Sequence, residues 1–291
     1  MNEKIKFECK SDELEQIPKE IIDSTELQFP KAHVDMDSMV NLSEKLKEYR
    51  KDTVCRIPFC VTVESEAMGA KINLGNEKNG PRVSEYMFDT IEELGNIKEI
   101  DLNKGRIRTV LDSVEQLRNQ NEIVSLNVEG PFTIISSLID QRSFYKGIRK
   151  NKEIIDNCIK VVEDSIVKYI LEGIKRGANI ISYADPCGSI DIVGPKIYKE
   201  ISGKSTYKIL KRVEDRLEDS IIHICGKTSI GLQKLDFIEA CSMNHNENCT
   251  YGDAICGLLK DKEINIIGHN CIKKTNLKTK NPKVWIIKLI K

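Results

Sequence analysis

NIISYADPCGSIDIVGPKIYKEISGKSTYKILKRVEDRLEDSIIHICG, residues 179–226, decides the fold. It opens on an apolar run, NIISYADP (179–186), closed by Pro186, and ends on a second, IIHICG (221–226). Between them, residues 195–217 read as a helix with a proline near its start, where a missing N–H is tolerated. Strands that alternate with helices at this spacing predict a parallel α/β sheet.

The pattern extends in both directions. Upstream, IVSLNVEG (123–130) reads as a strand. Residues 151–176 then place Ile154, Ile155, Cys158, Ile159, Val162, Ile166, Ile170 and Ile174 at helical spacing, with Gly177 as the stop. Downstream come a short helical piece at GLQKL (231–235), a strand at 238–243, a helix at YGDAICGLLKD (251–261) and a strand at INIIGHNC (264–271). In the first half the best strand is CRIPFCVTVESEA (55–67), and 38–50 and 84–95 look helical. That makes about six strands. An eight-stranded barrel needs two more, for which 1–50 and 97–120 have room. The rival is a doubly wound open sheet, but no strand is followed by a GxGxxG phosphate turn. The barrel is favoured because Glu64, Glu66, Glu129, Asp185, His223, Cys225, His269 and Cys271 all fall at predicted carboxyl ends of strands, the face on which barrels carry active sites. The expectation is one (β/α)8 TIM barrel domain over 1–291, with a helical or loop extension over about 1–50.

Lys+Arg and Asp+Glu both number 45, so no global field selects nucleic acid or a membrane surface. The C-terminal stretch from Ile272 carries lysines and no acid, and reads as a solvated tail. The N-terminus, MNEKIKFECKSDELEQ, has no apolar signal core, and no stretch approaches the roughly 18 apolar residues of a spanning helix. A cytoplasmic location is expected, where thiols stay reduced. Most of the ten cysteines, Cys60 and Cys158 among them, then read as small buried apolar residues.

Two cysteines read differently. His223 with Cys225, and His269 with Cys271, each form a His-x-Cys pair ending an apolar run. Residues two apart on a strand share a face, so each run delivers an imidazole beside a thiol, the donor types zinc prefers. The plain alternatives are a hydrogen-bonded core histidine and a buried cysteine. Cys241, His245 and Cys249 are also spaced four apart, but SMNHNENCT is Asn-rich, reads as a loop and offers no fourth donor. Glu64, Glu129 and Asp185 would line the barrel mouth, to orient substrate or hold a ligand; Asp185, before Pro186, reads equally as a cap.

In its ordered blocks the chain resembles the uroporphyrinogen decarboxylase superfamily, and most of all its corrinoid-dependent methyltransferase branch, the methylcobamide:coenzyme M methyltransferase type. The blocks are FPKAHVDMDSMVNLSEKLKE (29–48), RIPFCVTVESEAMGAKINLG (56–75), PRVSEY (81–86), NVEGPFTIISSLID (127–140), YADPCGSIDIVGPKIYKE (183–200) and HICG (223–226). The resemblance implies a (β/α)8 barrel and one zinc per chain on His223, Cys225 and Cys271, with an acceptor thiol in the open position. His269 would be a fourth donor, a group holding a donor, or incidental. The zinc-bound thiolate would take a methyl group from a methylated corrinoid protein. Tyr183 would pack on the corrinoid or fill the barrel. The acceptor stays open among coenzyme M, homocysteine, another thiol and a folate. The arginine-rich N-terminal motif of the decarboxylases proper has no counterpart, Arg50 being the first arginine. The alternatives are a metal-free tetrapyrrole enzyme and a corrinoid-binding zinc protein without turnover. Two departures stand out: the chain is short for the branch, and the segment between HICG and GHNC is compressed.

Overall fold

The structure is a computed structural model that describes residues 17–25, 27–244, 248–278 and 282–290. The first half contains α1 (Lys19–Thr25), α2 (Met36–Arg50), β1 (Cys55–Ile57), α3 (Val63–Ala67), β2 (Lys71–Asn73), β3 (Arg82–Glu85), α4 (Ile91–Leu94) and α5 (Gly105–Asn119). The alternating core follows: β4 (Val124–Glu129), α6 (Pro131–Ile135), α7 (Gln141–Lys150), α8 (Lys152–Lys175), β5 (Ile180–Ala184), α9 (Ile190–Ile197), α10 (Gly203–Val213), β6 (Ile221–Ile224) and α11 (Gly226–Lys234). The chain closes with β7 (Ile238–Asn244), α12 (Tyr251–Leu258), β8 (Ile266–Gly268) and β9 (Lys283–Leu289).

The central sheet runs β1-β4-β5-β6-β8-β9-β7, and β2 pairs with β3 in a separate hairpin. From β1 to β8 every neighbour is parallel, as the alternation predicts. The last two strands are antiparallel. Among the described residues β1 pairs only with β4 and β7 only with β9, so no ladder joins the two edges.

Strand residues alternate between two apolar layers. Leu126, Val128, Ile181, Tyr183, Ile222 and Ile224 pack under α5, α8 and α10 in the main core. Ile180, Ile221 and Ile267 point the other way, into a smaller core with Tyr251, Ala254, Ile255 and Leu258 of α12. A helix therefore covers part of the face that a closed barrel turns inward.

Several expectations need correction. No strand lies in the described part of 1–50 or in 97–120; these hold α1, α2 and α5, whose buried residues Ile107, Val110, Leu111 and Val114 recur at helical spacing. The 55–67 run is a strand only to Ile57, and Pro58, which lacks an N–H for the ladder, follows it. The lysine-rich tail is not simply solvated: Val284 and Ile287 are buried and KVWIIKL is β9, between β8 and β7. The helix read over 195–217 starts earlier and breaks at Gly194, whose φ of 78° suits glycine. Residues 84–95 hold the end of β3 and the short α4 rather than one helix.

Candidate active site

The two His-x-Cys pairs end neighbouring strands. Register pairs Ile222 with Ile266 and His223 with Ile267. Just beyond, the Gly226 N–H donates to the Asn270 carbonyl at 3.0 Å, tying the two loops together. Cys225 ends its strand, its N–H bonded to the Tyr183 carbonyl at 2.8 Å, and begins α11. His269 sits at φ 62°, a conformation β-carbon sterics disfavour. Ser229 of α11 secures it there: its hydroxyl accepts the His269 N–H at 2.9 Å and pairs with Nδ1 at 2.8 Å.

His223 is fully buried, and its Nε2 pairs with the Tyr251 hydroxyl at 3.0 Å. Tyr251 opens α12, whose Thr250–Asp253 capping box and the Gly252 N–H bond to the Thr275 carbonyl fix its entry. Burial pushes the imidazoles of His223 and His269 down to about 4, so both are neutral near pH 7. The His269 ring lies edge-on to Trp285 of β9, with centroids 5.3 Å apart.

On the same sheet face, register aligns Asn127 with Ser182 and Ser182 with His223 across β4, β5 and β6. Adjacent strands are about 4.8 Å apart, so these side chains form one polar row. Ser125 lies one step behind it and Glu129 one step ahead, toward the carboxyl end. Ser125 Oγ, Asn127 Oδ1, Glu129 Oε2 and His223 Nδ1 are all buried without a protein partner. Such atoms are rare in cores, and four on one face mark where a polar ligand would find partners. Sequence reading named Glu129 and His223 and missed Asn127 and Ser182. The signal existed: in IVSLNVEG the alternate positions Ser125, Asn127 and Glu129 are all polar.

The acids divide by role. Glu64 lies on α3, not at a strand end, and its Oε1 accepts the Glu129 N–H at 2.9 Å. Burial pushes its carboxyl up to about 7. Burial, aided by Glu64 and Asp185, holds the Glu129 carboxyl well above the usual range. Arg106 of α5, missed in the sequence because nothing local marks it, reaches Glu66 at 2.5 Å and Thr62 at 2.7 Å, and fixes the turn that presents Glu64. Asp185 is a cap: Oδ1 accepts from the Thr133 N–H and hydroxyl, and Oδ2 from the Phe132 N–H, at the start of α6. Tyr183 points to the helix-covered core, its hydroxyl 3.2 Å from that of Thr206 on α10. Gly130 is required beneath them, because a β-carbon there would lie 2.3 Å from that of Asp185.

Against this geometry a zinc ion finds the right donor chemistry but not the right placement. Among the described residues no three His, Cys, Asp or Glu side chains converge to hold a metal. The His223 Nε2 is occupied by Tyr251, and the His269 Nδ1 by Ser229. Cys241 lies in the middle of β7 and Cys249 just before α12, and His245, between them, falls outside the described residues.

Comparison with known proteins places the chain. The model of the uroporphyrinogen decarboxylase (URO-D) family matches residues 15–269. The chain belongs to the uroporphyrinogen decarboxylase family. Within that family its relatives are of the corrinoid-dependent methyltransferase branch. It is 27% identical over 213 residues to methylcobamide:CoM methyltransferase MtaA of Methanosarcina barkeri, covering 72% of this chain and 62% of that protein. It is 26% identical to MtbA of Methanosarcina acetivorans over the same shares. A methylated-thiol–coenzyme M methyltransferase of Methanosarcina mazei is 24% identical, over 74% of this chain and 58% of that one. A solved methyltransferase structure from Methanosarcina mazei superposes with a TM-score of 0.64 at 25% identity, covering 71% of this chain and 60% of that one. The mostly parallel, helix-clad sheet is thus a (β/α)8 TIM-barrel-like fold of the URO-D type. The chain spans about three fifths of the length of the relatives it matches. The family match stops at His269, before Cys271 and β9. No described helix is long and apolar enough to cross a membrane.

Proposed function

We propose that this URO-D family chain transfers a methyl group from a methylated corrinoid, carried by a partner protein, to a small thiol. The observation that carries the reading is the meeting of two His-x-Cys pairs on neighbouring parallel strands, joined by the Gly226–Asn270 bond. The methylcobamide and methylated-thiol substrates in the names of its relatives support it. In such a transfer the Co–C bond breaks with both electrons left on cobalt, the S–C bond forms, and the thiol proton leaves.

That proton is the weak point of a metal-free version. A free thiol has a pKa near 8.5. Handing its proton to an imidazole held at about 4 is uphill by roughly 6 kcal/mol. Neutral His223 and His269 are therefore better donors of a lone pair than acceptors of a proton. Thiolate formation is the chemistry that zinc would supply, with His223, Cys225 and Cys271 as its proposed donors, and the arrangement described does not bring them together.

A second reading follows from one observation, the Tyr251 ring and hydroxyl seated on His223. A chain locked in that arrangement would hold a corrinoid or its protein without turnover.

The test is methyl transfer from methylcobalamin to coenzyme M and to homocysteine, followed by the cobalt spectrum, with zinc content measured in parallel. Demethylation of methylcobalamin with a methylated thiol as product is the expected result; one zinc per chain, lost in Cys225→Ala and Cys271→Ala, would overturn the misfit of the metal. A chain that binds neither zinc nor transfers methyl groups, yet retains methylcobalamin, refutes the enzyme and leaves the binding protein.

A further inference from the structure

On the helical flank, between α7–α8 and α9–α10, lies a groove of about 1490 Å³. Ile155, Ile159 and Val193 form its buried floor, and Ile148, Ile197 and Ile201 show part of their surface along it. A smaller hollow of about 450 Å³ continues it past Ile192, which is 55% exposed. Two of the charged pairs on the rim neutralise themselves, Lys152 with Asp156 and Lys208 with Glu163. The rest is one-sided: Arg149, Lys160, Lys196, Lys199 and Lys204 face a single acid, Glu200. Among the described residues none of these five makes an ion pair with an acid. In a chain of zero net charge this excess is local.

The dimensions fit a helix. A helix about 10 Å across fills roughly 120 Å³ per residue, so the main groove has room for about twelve residues. An apolar floor with a cationic rim is the complement of an amphipathic helix with acidic flanks. A solvated lysine face would be convex and would need no isoleucine floor. α7 and α9 both follow the carboxyl ends of their strands, so the groove opens at the same end of the sheet as the His-x-Cys pairs. We propose that this groove docks an acidic amphipathic helix of a protein partner. The proposal does not depend on the methyl-transfer reading.

The probe is a fluorescein-labelled helical peptide with Leu on one face and Glu flanking it, measured by anisotropy at low salt. Saturable binding is expected, weakened about tenfold in Lys196→Glu with Lys199→Glu, weakened also in Ile197→Ala with Ile201→Ala, and reduced by added salt. Lys160→Glu with Lys204→Glu, on both walls, gives the same loss if the first pair lowers the thermal midpoint. Lys78→Glu with Lys98→Glu, away from the groove, should bind as wild type. The proposal is overturned if the peptide does not bind. It is equally overturned if a scrambled peptide of the same composition binds as tightly, or if the distant lysine variant loses as much affinity as the groove variants.

Discussion

Replacing Glu64 with Gln should stabilise the protein at pH 8 and leave it nearly unchanged at pH 4. Glu64 is 1% exposed, and burial raises its carboxyl from 4.5 to about 7. The folded state thus keeps a proton that the unfolded chain releases. Below pH 4 both states are protonated and the group contributes nothing. Between about 4.5 and 7 the unfolded state ionises first, so stability falls as pH rises, and above 7 the full penalty applies. A shift of this size corresponds to about 3 kcal/mol. Glutamine keeps an acceptor for the Glu129 N–H and cannot ionise, so it removes the penalty without losing the bond. It also removes the charge that helps hold Glu129 protonated, which adds to the gain. Urea unfolding of both proteins at pH 4.5 and pH 8 measures the effect. An equal difference between variant and wild type at both pH values would refute the reasoning, since it would mean that Glu64 is ionised or hydrated in the folded state.

Gly130→Ala should lower stability by about 2–3 kcal/mol, because the new β-carbon collides with Asp185 and the Tyr183 hydroxyl in a packed site; thermal unfolding reads it, and a neutral result would show that the α6 turn gives way. Asp185→Ala strips the acceptor from two backbone N–H groups and the Thr133 hydroxyl, for a loss of about 3 kcal/mol, whereas Asp185→Asn should retain part of it. His33, buried between Phe29 and Phe59, should titrate near 4 by NMR, through burial first and Arg106 second. Its folded pKa is depressed, so its contribution to stability is present above about 6.5 and is lost as pH falls toward 4; an inflection near 6.5 would show an open pocket.

The regular middle of the chain was legible because periodicity and burial agree there. IVSLNVEG, NIISYADP and IIHICG became β4, β5 and β6, and α8 buries Ile155, Ile159, Ile166, Ile170 and Ile174 at the helical spacing. Where two signals compete, reading the sequence fell short. Lysines dominate the composition after Ile272, yet within it Val284 and Ile287 are buried in the two cores on opposite faces of the strand, and packing decides for the strand. Glu64 and Glu66 follow apolar residues that suggested a continuing strand, but Pro58 breaks the ladder and α3 carries both acids. In the site, residue types were readable and contacts were not. Nothing in YGDAICGLLKD announces that Tyr251 will meet His223 across the sheet, and nothing near Asp185 reveals that its partners are Phe132 and Thr133. The pairing of the two His-x-Cys ends was anticipated; the occupation of their imidazoles by a tyrosine and a serine was not.

The position of β9 carries a kinetic consequence. β7 emerges early, at residues 238–244, yet its ladder partner is β9, at 283–289, which also separates it from β8. During synthesis at about 5–20 residues per second, β7 waits several seconds with no strand to pair against. Once β8 (Ile266–Gly268) has been made, and until β9 follows, β8 is the edge of the parallel sheet, with its outer N–H and C=O groups unpaired. The sheet on the nascent chain thus stays open on the side that bears His269 until β9 leaves the ribosome. Chaperone capture or misassembly should concentrate in that window, and slowing translation between residues 244 and 283 should lower the soluble yield more than the same delay placed before β4.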